Sequence, residues 1–391
     1  MTENIAKPLT FTPDSPEKTA YQAELFANRI AKQYKLLRKW ARKNRVSCFR
    51  LYDRDIPEVP LALDLYEFLP DNVSDKFEAA RFLSEENTAI SENSAQSRVI
   101  LADALSRTWA HLALYERPYD KPEEEEAKWL AAMAAKAAET LGIATNHVVI
   151  KTRKKFAGTE DGRNEQYEKH ASEESISGTV QEQGQLFTVN LSDYIDTGLF
   201  FDHRPLRSTI RDTCSGKSVL NLFCYTGSFS VYAAEGKARR IESVDMSKTY
   251  LDWAQSNFKL NGFDDDERYF FTRQDAIGFL NQKNAEIPNE EKTNRWDIII
   301  LDPPTFSNSK RTDTTLDITR DWPPLVAKCL TLLNEKGTLY FSTNSRRLVF
   351  DDALLKDKVS FAYSVTDITT QTIPEDYRNS KIHRCWKITR A

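Results

Sequence analysis

Several acidic residues stand where short apolar runs end, a placement that can put carboxylates along one edge of a sheet. The plainest case is Trp296-Asp-Ile-Ile-Ile-Leu-Asp302-Pro303-Pro304-Thr-Phe306, where an acid and two prolines follow a strongly apolar run. Proline fixes backbone φ, so Asp302 and the neighbouring carbonyls are aimed rigidly. Asp-Pro also occurs in purely structural turns, but the pair of prolines at the end of a buried run favours a working site. Upstream, Val219-Leu-Asn221-Leu-Phe223-Cys-Tyr225-Thr226-Gly227-Ser228 ends a similar run in a loop with one glycine. Gly227 can turn the backbone tightly beside a ligand. Asp245 comes eighteen residues after Gly227, and a carboxylate there can accept both hydroxyls of a ribose. Asp275 can accept an adenine amino group or simply cap the helix that follows it.

These residues need strands to carry them. Short apolar segments at 218–223, 240–245, 269–272, 297–301 and 337–342 alternate with amphipathic stretches. Such alternation predicts a doubly wound, mainly parallel α/β sheet of the Rossmann-like kind. Two more strands are expected within 361–391. Ligands of such sheets lie beyond the carboxyl ends of the strands, where the strand order reverses. The acids above therefore share one crevice.

The first half reads differently. Residues 1–18 form a loose tail, and 20–43 have helical apolar spacing with a basic outer face. Strands are expected at 47–52 and 61–68, a loop or mobile insertion at 71–96, and helix through 98–141. A β-branched strand at 148–150 runs into the basic Lys151-Thr-Arg153-Lys-Lys155, and a further strand is expected around 185–191. The division expected is a tail and basic helix (1–46), a small α/β domain (47–195), and a domain that carries the strand-tip acids (196–391).

The glycine loop separates two cofactor classes. A pyrophosphate needs a G-x-G-x-x-G loop so that the backbone can approach it. Here Phe223, Cys224 and Tyr225 put bulk in the loop, which disfavours a nicotinamide dehydrogenase. The loop suits the uncharged thioether and amino-acid tail of S-adenosylmethionine. Net charge is −4, yet eight Lys/Arg and no acid lie between Arg29 and Arg45. A basic face of that kind suits a nucleic-acid partner better than a small molecule. Five cysteines lack metal-ligand spacing, so no metal is expected. The absence of a long apolar run and of an apolar leader predicts a cytoplasmic protein without a membrane span.

Leu222-Phe-Cys-Tyr-Thr-Gly-Ser228, Val244-Asp-Met246-Ser247-Lys-Thr-Tyr-Leu251 and Leu301-Asp-Pro-Pro-Thr-Phe-Ser-Asn-Ser-Lys310 resemble the bacterial large-subunit (23S) rRNA methyltransferases. The likeness is greatest to the N7-guanine-methylating half of a bifunctional guanine methyltransferase. Asp196-Thr-Gly-Leu-Phe-Phe-Asp-His-Arg204, Leu141-Gly-Ile-Ala-Thr-Asn146, Val149-Ile-Lys-Thr-Arg153 and Trp40-Ala-Arg with Cys48-Phe-Arg-Leu-Tyr-Asp53 extend it over most of the chain. The family's additional N-terminal THUMP and N2-guanine module has no counterpart here. The resemblance implies that Gly227, Asp245, Asp275 and Asp302 contact the cofactor or the reacting base. It also implies that Phe200, Asp202 and Arg204 close over the cofactor. The residues flanking these acids, namely Asn221, Phe223, Tyr225, Thr226, Ser228, Met246, Ser247 and Ala276, complete the expected cofactor shell. Asp302, Pro303 and Pro304 would position the base, with Phe306 stacking on it.

Guanine N7 has a free in-plane lone pair, so its methylation needs alignment and no strong base. Carbon-5 methylation of cytosine needs a nucleophilic cysteine, and Tyr340-Phe-Ser-Thr-Asn-Ser-Arg346 has none. An exocyclic amine is an alternative target, and a non-catalytic rRNA-binding assembly factor is an alternative of another class. The expected RNA contacts are Arg38, Arg42, Lys151, Arg153, Lys310, Arg311 and Arg346, on 23S rRNA or a large-subunit precursor.

Overall fold

A computed structural model describes residues 15–92, 94–115, 121–152, 175–287, 295–308 and 315–391. The chain forms two compact units, one of residues 1–70 with 84–159 and the other of 71–83 with 160–391. Among the described residues, no helix is long and apolar enough to cross a membrane.

The first unit opens with α1 (Pro16–Lys43), where the Ser15 side chain accepts the Lys18 N–H and Pro16 occupies the first turn. Strands β1 (Cys48–Asp53) and β2 (Leu61–Glu67) follow. Next come helix α2 (Lys76–Ser91), of which residues 76–83 cluster with the second unit, helix α3 (Ala95–Ser106), strand β3 (Thr108–Leu114), helix α4 (Glu123–Leu141) and strand β4 (Val148–Thr152). The sheet order is β1-β2-β3-β4, antiparallel except for the β3–β4 pair. Phe26 and Ile30 of α1 and Met133 and Ala137 of α4 share a core with Leu51, Leu63 and Leu112 of the sheet. The basic side chains Arg38 and Arg42 of α1 are exposed.

Two expectations are corrected here. The predicted loop at 71–96 is largely helix: Asp75 caps α2 by accepting the Phe77 and Glu78 N–H groups. Its Glu86 is buried in an ion pair with Arg107. Polar composition concealed this helix, whose Phe77 is exposed. Predicted helix at 108–114 is strand β3, because burial against both neighbouring strands overrides the helical propensity of its Ala and Leu.

The second unit begins with a hairpin of β5 (Ser177–Glu182) and β6 (Gln185–Asn190). Gln183 and Gly184 join them, both at positive φ (51° and 92°), the twist that a two-residue hairpin turn requires. Sequence periodicity foresaw only the second strand and placed it in the small domain; in the structure the hairpin clusters with the second unit. After α5 (Arg204–Thr213) the chain alternates β7 (Ser218–Leu222), α6 (Ser228–Glu235), β8 (Arg240–Asp245), α7 (Lys248–Leu260), β9 (Tyr269–Arg273), α8 (Ala276–Glu286) and β10 (Trp296–Leu301). A short pair, β11 (Phe306–Asn308) and β12 (Thr315–Asp317), precedes α9 (Ile318–Thr331) and β13 (Leu333–Thr343). The end of the chain adds α10 (Ala353–Lys356), β14 (Tyr363–Asp367), α11 (Thr369–Thr372) and β15 (Arg384–Arg390).

The large sheet runs β14-β15-β13-β10-β7-β8-β9. It is parallel from β13 to β9, and β15 is antiparallel to both its neighbours. All five residues of β7 are buried, as expected of a central strand covered on both faces. Helix α7 also closes the outer edge of the hairpin. Asn261 and Leu186 exchange hydrogen bonds of 2.9 and 2.7 Å. Asn257 accepts the Thr188 N–H at 3.0 Å, and Trp253 donates to the Thr188 carbonyl at 3.0 Å. Three side chains spaced one helical turn apart thus serve backbone groups that a further strand would otherwise pair.

Candidate active site

The chain passes from β7 to β8 on one side of β7 and reaches β10 on the other, so the strand order reverses between β7 and β10. Registration brings the acids together there. Leu301 pairs with Leu222 and with Phe341, and Leu222 pairs with Val244. Asp302, Phe223, Ser342 and Asp245 therefore follow neighbouring strand positions, with Asp275 just beyond β9.

The loop after β7 is bent to an unusual degree. Phe223, Tyr225 and Gly227 have φ of 55°, 51° and 74°, a region that side chains other than glycine adopt at a cost. A Cβ on Gly227 would lie 2.8 Å from the Ala254 Cβ, so glycine is needed both for the turn and for the approach of α7. Asp245 fastens the loop from the next strand. One carboxylate oxygen accepts the Tyr225 N–H at 3.0 Å and the other accepts the Ser247 N–H at 2.9 Å. Burial raises its pKa, against the pull of those backbone N–H groups. Each oxygen keeps acceptor capacity for a hydroxyl. Asp275 caps α8 through the Gly278 N–H at 2.8 Å, so the capping role holds, with the second carboxylate oxygen still available. Ser247 caps α7, Ala276 is buried, and Met246 and Ser228 are half-buried at the rim. Phe200 is exposed and leans on Tyr225, with ring centroids 5.2 Å apart.

Four expected cofactor contacts are placed differently. Arg204 is 1% exposed and bonds Glu182 and Asp376 at 2.9 and 2.7 Å. Its charge is thus neutralised inside the frame, and it does not close over the crevice. Asn221 is buried and donates to Ser230, while Thr226 is buried and donates to the Gly198 carbonyl. Both side chains hold the strands and the loop together. Asp202 is also buried, behind Asp302.

Asp302 is the focus of the site. Its Oδ1 accepts the Ser342 hydroxyl at 2.5 Å, and its Oδ2 lies 3.2 Å from His203 Nε2. Burial raises its pKa, but the positive His203 ring and the Ser342 hydroxyl outweigh it and hold the carboxyl below its ordinary value. Its side chain keeps 27% exposure, so the carboxylate reaches the crevice. Pro303 is buried, Pro304 half-buried, and Phe306 is 49% exposed on β11. Sequence reasoning missed His203, His383 and Ser342. His203 lay within the quoted Asp202-His-Arg204 segment, whereas nothing near 383 marked that histidine. Donor atoms of Asp202, His203 and His383 lie within 4.8 Å of one another, and their direct contacts form an ion-pair network. All five cysteines are free and buried, and burial pushes the Cys224, Cys329 and Cys385 thiols up. None of these three is primed as a thiolate nucleophile.

An open parallel sheet with this order, an acid with free acceptor capacity after β8, a bulky loop and an Asp-Pro-Pro tip suit a site for a nucleoside cofactor without a pyrophosphate. The chain belongs to the S-adenosylmethionine-dependent methyltransferase family, whose profile matches residues 102–381. It is 41% identical to the ribosomal RNA large subunit methyltransferase K of Neisseria meningitidis, over 93% of this chain and 86% of that one. It is 40% identical to the ribosomal RNA large subunit methyltransferase K/L of Stutzerimonas stutzeri, over 93% of this chain. It spans only 42% of that longer relative. A solved methyltransferase from Streptococcus mutans matches the fold with a TM-score of 0.63 and 18% identity, over 98% of this chain and 83% of that one. A second solved structure, of a methyltransferase complexed with SAH, gives 0.64 at the same identity and coverages.

The donor set fits S-adenosylmethionine, because Asp245 offers two preset acceptors and the loop offers no phosphate cradle. Asp245→Ala is therefore expected to weaken cofactor binding by roughly 10- to 100-fold, since hydrogen bonds to a charged group contribute about 1.5–3 kcal/mol. Isothermal titration checks this, and an unchanged Kd would remove Asp245 from the cofactor site.

Proposed function

We propose that this chain methylates N7 of a guanine in large-subunit ribosomal RNA. The observation that carries the reading is Asp302, ionised, anchored on both oxygens, and set in a site without a reactive thiol. A carboxylate held below its usual pKa is a weak base, which suits a nucleophile that already has a free lone pair. S-Adenosylmethionine supplies an activated methyl on a sulfonium. As the methyl moves, positive charge develops on the guanine, and the fixed Asp302 carboxylate stabilises it without having to reorganise. Asp245 receives the ribose hydroxyls, Asp275 the adenine amino group, and Phe200 covers the cofactor. Pro303 and Pro304 hold the tip rigid, and Phe306 stacks on the target base.

The RNA substrate is supported by the names of the 41% and 40% identical relatives and by the basic, exposed face of α1. A-form RNA hides N7 in a deep, narrow groove, so the guanine must be unpaired or flipped out. Arg38, Arg42 and Arg346 are exposed, and Lys151 is half-buried at the end of β4; these serve the phosphate backbone. Arg153, Lys310 and Arg311 lie outside the described residues. In this reading the first unit recognises RNA and the protein works in the cytoplasm on 23S rRNA or its precursor particle. Mass spectrometry of rRNA from a strain lacking the protein tests it. One N7-methylguanosine should disappear from the large-subunit RNA; its persistence alongside loss of another modification would refute the regiochemistry.

A further inference from the structure

His203 lies directly behind the catalytic tip. It is 3% exposed, and its Nε2 faces Asp302 Oδ2 at 3.2 Å and Asp202 Oδ2 at 3.8 Å. The ring stacks on His383 with centroids 4.4 Å apart and planes 13° apart, and it packs on the Phe229 ring from α6. His383 is in turn held by Asp202 at its Nδ1 and by Thr372 at its Nε2. Asp302 at the tip of β10, Phe229 of α6 and His383 before β15 converge on the His203 ring, while Thr372 of α11 holds the second imidazole. A merely structural core histidine would not need a carboxylate that opens onto the crevice.

We infer that His203 is a positioning residue for methyl transfer, bridging Asp202 to Asp302 and locking the Asp302 carboxylate toward the substrate. This deepens the function proposed above and rests on Asp302 acting there. The charged and titratable groups facing the ring are Asp202, Asp302, Arg207 of α5 and His383. Burial and Arg207 oppose the ring's positive charge. Asp302 and Asp202 favour it more strongly, and the ring is pushed up to about 9. The stacked His383 stays neutral: burial and the neighbouring imidazolium lower its pKa. Because the folded-state pKa of His203 lies above the ordinary value of about 6.5, the pair contributes full stability below that pH. The contribution fades as pH rises through about 9.

The test uses the full chain with 15N-labelled histidine, followed by kinetics. One imidazole should titrate near 9, vanish in His203→Gln, and move clearly downward in Asp302→Asn. His203→Gln should keep the wild-type Kd for S-adenosylmethionine and lose roughly 100-fold in kcat, as expected for a misaligned reacting group. A ring that titrates in the ordinary range and ignores Asp302→Asn overturns the inference, as does wild-type kcat in His203→Gln. Should the wild type methylate no large-subunit RNA while the coupled titration is present, the substrate reading fails and the His203–Asp302 bridge stands.

Discussion

Asp302→Ala is expected to yield a folded protein that binds S-adenosylmethionine normally and has lost roughly 10²- to 10³-fold in kcat. That is the usual effect of removing one preorganised electrostatic group. The fold should survive, since Asp302 sits at a strand tip with part of its surface exposed and His203 retains Asp202 as a partner. Cofactor binding should survive because Asp245 and the loop after β7 do not depend on it. Single-turnover assays on rRNA fragments, paired with calorimetric binding, separate these effects. Full activity in the variant would remove Asp302 from the mechanism, and loss of cofactor binding would move it to another role.

The second large effect falls away from the chemistry. Glu182 is 0% exposed and accepts from Arg204 at 2.9 Å and from Arg207 at 2.8 and 3.0 Å. The Tyr232 hydroxyl, 3.1 Å away, completes the set. Arg207, 1% exposed, packs its guanidinium against the Phe229 and Tyr232 rings. Glu182→Gln leaves positive charge buried without compensation, and breaking a buried pair from one side costs about 3–5 kcal/mol. For a unit of this size each kcal/mol lowers Tm by roughly 2–4 °C. A fall of roughly 6–20 °C is expected by calorimetry. A Tm within a degree of wild type would show that the cluster is replaceable.

How far the sequence disclosed this molecule depended on how local each signal was. The strands of the large sheet were legible because burial on both faces leaves nearly unbroken apolar runs such as Ile298–Leu301. Asp302 was legible because it stands at the end of such a run, and Asp245 because it follows the glycine loop at the spacing of a ribose-binding acid. Strand β3 was hidden since Ala and Leu serve helix and strand alike, and only its partners β2 and β4 decide. Strand β5, Ser-Gly-Thr-Val-Gln-Glu, is too polar to announce itself; its buried Glu182 is explained only by arginines more than twenty residues later. Arg204 was misplaced because its neighbours in sequence line the site, whereas its own side chain turns toward Glu182 and Asp376. The His203–His383 stack joins residues 180 positions apart. No local pattern encodes such a pair.

The asparagine and tryptophan stripe of α7 also bears on how the protein behaves in a crowded solution. An uncovered hairpin rim invites strand addition from another chain, the first step toward aggregates. Here amide and indole groups occupy the rim of β6 at Leu186 and Thr188, so that invitation is withdrawn by the same helix whose N-terminus adjoins Asp245. Trimming α7 in an engineered version would therefore harm colloidal behaviour as well as ligand grip, and its solubility would have to be designed back in.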